Sequence, residues 1–164
     1  MKKILCFFLA LLLLSLCLTG CDLTVPRPDI KEGEFDVSVT YEVNGETKTL
    51  DLVYICEYDG VDLTLDGTSY RAWNGHFDGY EDGALIEVSE VEGGKIALFF
   101  LIYPEYFMGE PDYATDFYPH VLTNYIYYVD GVEMIEDDQE LIAEKYGFKI
   151  IGCEYDKPIE NSFS

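Results

Sequence analysis

Residues 35–45 constrain the fold more than any other stretch. Phe35, Val37, Val39, Tyr41 and Val43 alternate with Asp36, Ser38, Thr40 and Glu42, the two-residue period of a half-buried strand. Asn44-Gly45 follows directly, and these residue types tolerate the left-handed backbone of a two-residue hairpin turn. Such a turn sets the register without further assumptions. Tyr41 must oppose Lys48, Val39 Leu50, Val37 Leu52 and Phe35 Tyr54, so the apolar residues of both strands share one face. Cys56 falls on that inward face.

Turn dipeptides then punctuate the chain at Asp59-Gly60, Asp66-Gly67, Asn74-Gly75, Asp78-Gly79 and Asp82-Gly83. Between them, Val61–Leu65 and Ser69–Phe77 read as short strands. A second hairpin is expected from Ala84–Val91 and Lys95–Tyr103 around Gly93-Gly94, with Glu92 facing Lys95, Val88 facing Phe99 and Ile86 facing Leu101. Ile96–Tyr103 is the most apolar run downstream of residue 21 and reads as a central strand. Residues 104–120, with three prolines, read as a long ordered loop. Val121–Val129 is a further strand ended by Asp130-Gly131. Asp137 or Asp138 is the expected cap of a short helix carrying Leu141, Ile142 and Tyr146 on one side, with Gly147 as its stop. Phe148–Glu154 closes the domain. This pattern implies an all-β, mainly antiparallel fold, an immunoglobulin-like β-sandwich with one short C-terminal helix. The alternative is α+β, a single curved antiparallel sheet with the helix packed on it.

The N-terminus has a different character. Lys2 and Lys3 precede an apolar run of fifteen residues, Ile4 to Leu18, broken only by Ser15. About twenty apolar residues are needed to span a bilayer, so this run reads as an export signal. It ends in Leu18-Thr19-Gly20-Cys21, which resembles the lipobox of bacterial lipoproteins. That resemblance implies cleavage before Cys21, a lipid on its thiol, and a protein held at the extracytoplasmic face of the cell membrane. In envelopes with two membranes, Asp22 resembles an inner-membrane retention signal. The resulting organisation is a signal peptide over 1–20, the lipidated Cys and a tether over 21–33, a β-rich domain over 34–156 and a frayed tail over 157–164.

Removing residues 1–20 leaves 144 residues, enough for one domain with a real core. Eight basic residues then stand against 32 acidic ones, a formal net charge of −24. Such a surface repels nucleic acid and anionic lipid headgroups, so the lipid has to do the anchoring. Cations, basic peptides and basic protein patches fit this charge. Of five cysteines, Cys6 and Cys17 leave with the signal and Cys21 takes the lipid. Cys56 and Cys153 are left, either bridged or as two separate buried thiols. A bridge would close a loop of nearly a hundred residues, worth about 4–5 kcal/mol in the chain-entropy model.

Catalytic signatures are sparse. Ser38, Ser69 and Ser89 sit in no nucleophile-elbow context, and only His76 and His120 offer imidazole bases. His76 reads as a turn residue and His120 as a strand start. Cys and His do not recur at zinc-ligand spacing, and there is no glycine-rich phosphate loop. Two acidic groups, Asp59, Asp62 and Asp66, and Asp78, Glu81 and Asp82, are candidates for calcium, but neither follows the spaced carboxylate loop of a calcium hand. No other cofactor is implied.

The most suggestive stretch is 103–120. Tyr106, Phe107, Tyr113, Phe117 and Tyr118 form a candidate contact set, since exposed aromatics offer large contact area at low entropic cost. Glu105, Glu110, Asp112 and Asp116 beside them suit a basic or hydroxyl-rich partner. The same aromatics would equally complete a core, and Trp73, near Tyr70 and Arg71, carries the same ambiguity. The functional expectation is a non-catalytic, membrane-anchored binding module whose partner is an envelope protein, a peptide or a glycan. Two alternatives are an envelope hydrolase using acidic residues and an accessory subunit of a membrane complex.

Overall fold

The computed structural model describes residues 25–80, 85–91, 94–101, 103–111, 113, 117–123, 126–128, 131–133 and 139–164. The signal, Cys21, Asp22, Glu81, Asp82, Gly93, Asp112, Asp116, Asp130 and the proposed helix caps Asp137 and Asp138 lie outside them.

The first hairpin forms in the expected register. β1 (Glu32–Val43) and β2 (Glu46–Leu63) pair antiparallel, with Tyr41 opposite Lys48, Val39 opposite Leu50, Val37 opposite Leu52 and Phe35 opposite Tyr54. Asn44 and Gly45 take φ of 51° and 83°, the left-handed pair that this turn requires. Phe35, Val37, Val39, Tyr41 and Val43 are all buried, as are Leu52, Tyr54 and Cys56 opposite.

Two of the expected turns are absorbed into strands. β2 runs on through Asp59-Gly60 and pairs with β3 (Ser69–Phe77), whose own Asn74-Gly75 lies opposite Glu57 and Cys56. Asp59 is the extra residue of a bulge between Tyr58 and Gly60, and Gly60 takes a φ of 115° that a side chain would oppose. Pairing along the whole of β3 outweighs the local turn preference of both dipeptides. His76 accordingly lies within β3, opposite Ile55. Asp66-Gly67 and Asp78-Gly79 do make turns.

β9 (Phe148–Tyr155) pairs antiparallel with the other edge of β1, which gives the order β3-β2-β1-β9. A second sheet contains β4 (Leu85–Val91), β5 (Gly94–Phe99) and β6 (His120–Thr123) in that order. β5 is central, as its apolar sequence implies. The hairpin register differs from expectation. Val91 pairs with Gly94, and an irregularity between Glu87 and Ser89 brings Ile86 opposite Leu98. The shift gives both residues to the core and leaves Leu101 exposed. The strand expected over Val121–Val129 is divided into β6 and β7 (Ile126–Tyr128), and β7 pairs with β8 (Gly131–Glu133) as a separate ribbon.

Among the described residues there are two helices, both short: α1 (Pro104–Phe107) and α2 (Gln139–Tyr146). α2 buries Ile142 and Tyr146, while Leu141 is turned outward. Gly147 ends the helix with its N–H donating to the Ala143 carbonyl at 3.0 Å. Both larger sheets feed one core, in which Phe77 of β3 meets Phe100, just after β5, at 4.8 Å between ring centroids. The fold is mainly antiparallel β in two principal sheets. The first sheet is the meander β3-β2-β1 with β9 returning beside β1, the second is the meander β4-β5-β6, and α2 contacts β9, which fits the curved sheet with a packed helix as well.

Residues 27–30 are tied to residues 161–164. The Asp29 N–H donates to the Ser162 carbonyl at 2.9 Å and the Ser164 N–H to the Arg27 carbonyl at 3.1 Å. Asn161 accepts from the Ile30 N–H and donates to the Ile30 and Met108 carbonyls. Residues 25–31 are therefore part of the folded unit, and 157–164, expected to fray, hold them in place.

Candidate functional site

α1 positions the aromatic segment. Pro104 presets the first helical turn, and Phe107 points into the core. Its ring lies 4.8 Å from Phe35, 5.2 Å from Tyr54 and 5.0 Å from Phe117 between centroids. Phe117 also stacks on Phe100 at 5.7 Å and meets Tyr155 at 5.2 Å. With exposures of 0% and 2%, Phe107 and Phe117 are core residues, and no partner can reach them. Tyr106 packs partly buried against the same cluster, while Tyr113 and Tyr118 are exposed at 47% and 39%. The expected contact set therefore divides: the two phenylalanines close the core, and two tyrosines face solvent.

Glu110 is similarly withdrawn. Arg71 of β3 donates to both carboxylate oxygens in a fork, and Trp73 Nε1 donates to Oε1 at 2.9 Å. Glu110 and Trp73 are both buried. These hydrogen bonds to Glu110 raise the Arg71 pKa above its ordinary value. The remaining Arg71 nitrogen, Nη1, donates to the Pro26 carbonyl at 3.0 Å, and the guanidinium carbon lies 3.9 Å from the centre of the Phe163 ring. One side chain thus joins β3, the aromatic segment, Pro26 and Phe163. Trp73 packs edge-on to Tyr58 at 5.3 Å.

Beside this junction an open cleft of about 730 Å³ is lined by Val25, Pro26, Arg27, Tyr58, Asp59, Gly60, Val61 and Ser164. The bulge at Asp59 forms one wall, and the N-terminal segment forms the other. It offers an aromatic surface, a cation and a carboxylate within one concavity. Of these residues only Asp59 stood out in the sequence, as one of a candidate calcium group. Asp59-Gly60 carries the only local signal there, and it reads as a turn until its strand partner is known.

Cys56 and Cys153 are free thiols. Cys56 opposes Gly33 and Cys153 opposes Val39, six residues apart along β1 and on its opposite edges. That is about 20 Å of strand, far beyond the ~7 Å limit for a bridge. Burial pushes Cys56 up to about 12 and Cys153 up to about 11, so both remain protonated near neutrality. The acidic turn residues are also engaged locally. Asp66 accepts from the Thr64 hydroxyl and the Thr68 N–H, and the Thr64 bond is the main cause of its lowered pKa. Among the described residues, no group of three His, Cys, Asp or Glu side chains converges to hold a metal ion. His120 begins β6 and is exposed.

No helix among the described residues is long and apolar enough to cross a membrane. No family model, curated protein or solved structure matches the chain.

Proposed function

We propose that the chain is an exported, lipid-anchored binding module of the bacterial cell envelope, tethered through Cys21 and acting without catalysis. The Leu18-Thr19-Gly20-Cys21 motif supports the location. The binding role rests on the cleft, which sets Tyr58, Arg27 and Asp59 around one concavity close in sequence to the anchor. An aromatic face with one charge of each sign suits a ligand bearing hydroxyl and zwitterionic groups, such as a cell-wall glycopeptide or a peptide end.

The test has two arms. Cys21→Ser should move the protein from the membrane fraction to the soluble one; equal membrane recovery of both forms would refute the anchor. Thermal melting of the protein against cell-wall fragments, sugars, peptides and calcium should give a shifted midpoint for one class. A ligand at a hundred times its dissociation constant stabilises by about 2.7 kcal/mol. Arg27→Ala and Tyr58→Ala should abolish that shift. A shift that survives them but is lost in Tyr113→Ser with Tyr118→Ser would transfer the site to the exposed tyrosines, and no shift with any class would remove the small-ligand reading.

A further inference from the structure

The hairpin of β2 and β3 extends beyond the sheet that holds it. β1 starts at Glu32, opposite Glu57, and the Lys31 carbonyl still accepts from the Tyr58 N–H, so among the described residues β2 beyond Tyr58 is paired only with Ser69–Ala72. Every residue from Val61 to Thr68 is exposed. Four of the outermost side chains on this arm are large and apolar or aromatic: Val61 at 39% exposure, Leu63 at 70%, Leu65 at the turn without cover, and Tyr70 at 42%. Val61 and Leu63 lie on one face, and Tyr70, opposite Asp62, lies on the other. An aliphatic tip flanked by a tyrosine is expensive to leave in water and is of the kind that lodges at a bilayer interface.

We propose that this arm dips its tip, Leu63 and Leu65, into the bilayer to which Cys21 is tethered. The proposal rests on the lipid-anchor reading above, and chain length carries it. Val25 lines the cleft next to Gly60 and Val61, at the base of the arm. It lies four positions after Cys21, a reach of about 14 Å when fully extended. The arm from Val61 to Leu65 is of similar length, at about 3.3 Å per residue. A lipid held at position 21 therefore keeps the base of the arm close enough for the tip to touch the surface. The tether fixes the distance, and the leucines fix the orientation. Asp59, Asp62 and Asp66 sit on the arm and would be repelled by anionic headgroups, so insertion is apolar and is favoured by zwitterionic lipid.

The full lipidated chain, reconstituted in phosphatidylcholine vesicles, tests this. Leu65→Cys and, as a control on the exposed side of β9, Glu154→Cys would each carry an environment-sensitive fluorophore. Of the native thiols, Cys56 is buried and Cys153 half-buried, so Cys153→Ser is made in both labelled chains. Nitroxide-labelled lipid should quench the probe at position 65 several-fold more than the probe at 154, and adding phosphatidylglycerol should reduce that difference. Flotation with the vesicles but equal quenching at both positions overturns the arm's role and leaves the anchor standing. An emission shift at 65 without lipid-borne quenching assigns the tip to a protein contact and also overturns it. Failure of the unsubstituted chain to float overturns the anchor, and the proposal falls with it.

Discussion

Single residues carry the buried polar chemistry. Glu110 is held by Arg71 and Trp73 with side-chain exposures of 8% and 10% for the ion pair, so removing one partner strands the other in the interior. Glu110→Ala should cost about 3–5 kcal/mol, read as a lower denaturant midpoint. Arg71→Lys should also destabilise, because an ammonium cannot make the fork or lie flat on Phe163. The Lys95–Glu87 pair is half-exposed on both sides, and Lys95→Gln should leave the midpoint unchanged. A second expectation concerns the thiols. The fold holds Cys56 and Cys153 protonated up to about 12 and 11, against an ordinary 9.0. Their contribution to stability is therefore complete below about pH 9 and is lost as pH rises toward 12. A stability–pH curve that stays flat across that range would contradict this, as would rapid alkylation of Cys56 in the native protein at pH 8. The inward position of Cys56 was legible in the sequence, but the Glu110 site was not. Glu110 was one acid among 32, and its partners lie 39 and 37 residues away.

At the scale of elements, the decisive contact is between the end of α1 and the C-terminal segment. Gly109 takes a φ of 78°, and a β-carbon there would stand 2.5 Å from the Ile159 carbonyl oxygen. Gly109→Ala is therefore opposed twice, by backbone conformation and by the approach of the tail, and should cost about 1–3 kcal/mol. Asn161→Ala removes side-chain hydrogen bonds to Ile30 and Met108. It should cost about 1–3 kcal/mol and increase proteolysis near residues 25–31; unchanged digestion would mean that these residues are held by other contacts. Legibility followed locality here. The β1–β2 register could be read because a two-residue turn joins strands adjacent in sequence. The β4–β5 register could not, because Glu90 rather than Glu92 pairs with Lys95 and the irregularity at Glu87–Ser89 shifts the pairing once more, bringing the buried Ile86 and Leu98 opposite each other.

For the whole molecule, charge and core act in opposition. A formal net charge of −22 makes the compact state repel itself. Raising the salt from about 10 to 300 mM shortens the screening length from about 30 Å to under 10 Å, and the melting midpoint should rise by about 2–4 °C; a fall would mean that ion pairs outweigh the repulsion. Against that repulsion stands the aromatic core, in which Phe107 touches Phe35, Tyr54, Tyr106, Phe117 and Tyr155. Phe107→Ala should cost about 3–5 kcal/mol, the response of a core residue rather than of a binding loop. By itself, the sequence determined the antiparallel β character, the first hairpin with its register and inward face, the C-terminal helix with its glycine stop, and the acidity. These follow from periodicity, turn chemistry and composition, which act between neighbours. Only the tertiary structure decided that Phe107 and Phe117 are interior, that Asp59-Gly60 is a bulge, and that the two cysteines are too far apart to bridge. It also decided that residues 27–30 meet residues 161–164 beside a cleft. Those outcomes depend on which distant segments share a core, and hydrophobic burial rewards contact without naming the partner.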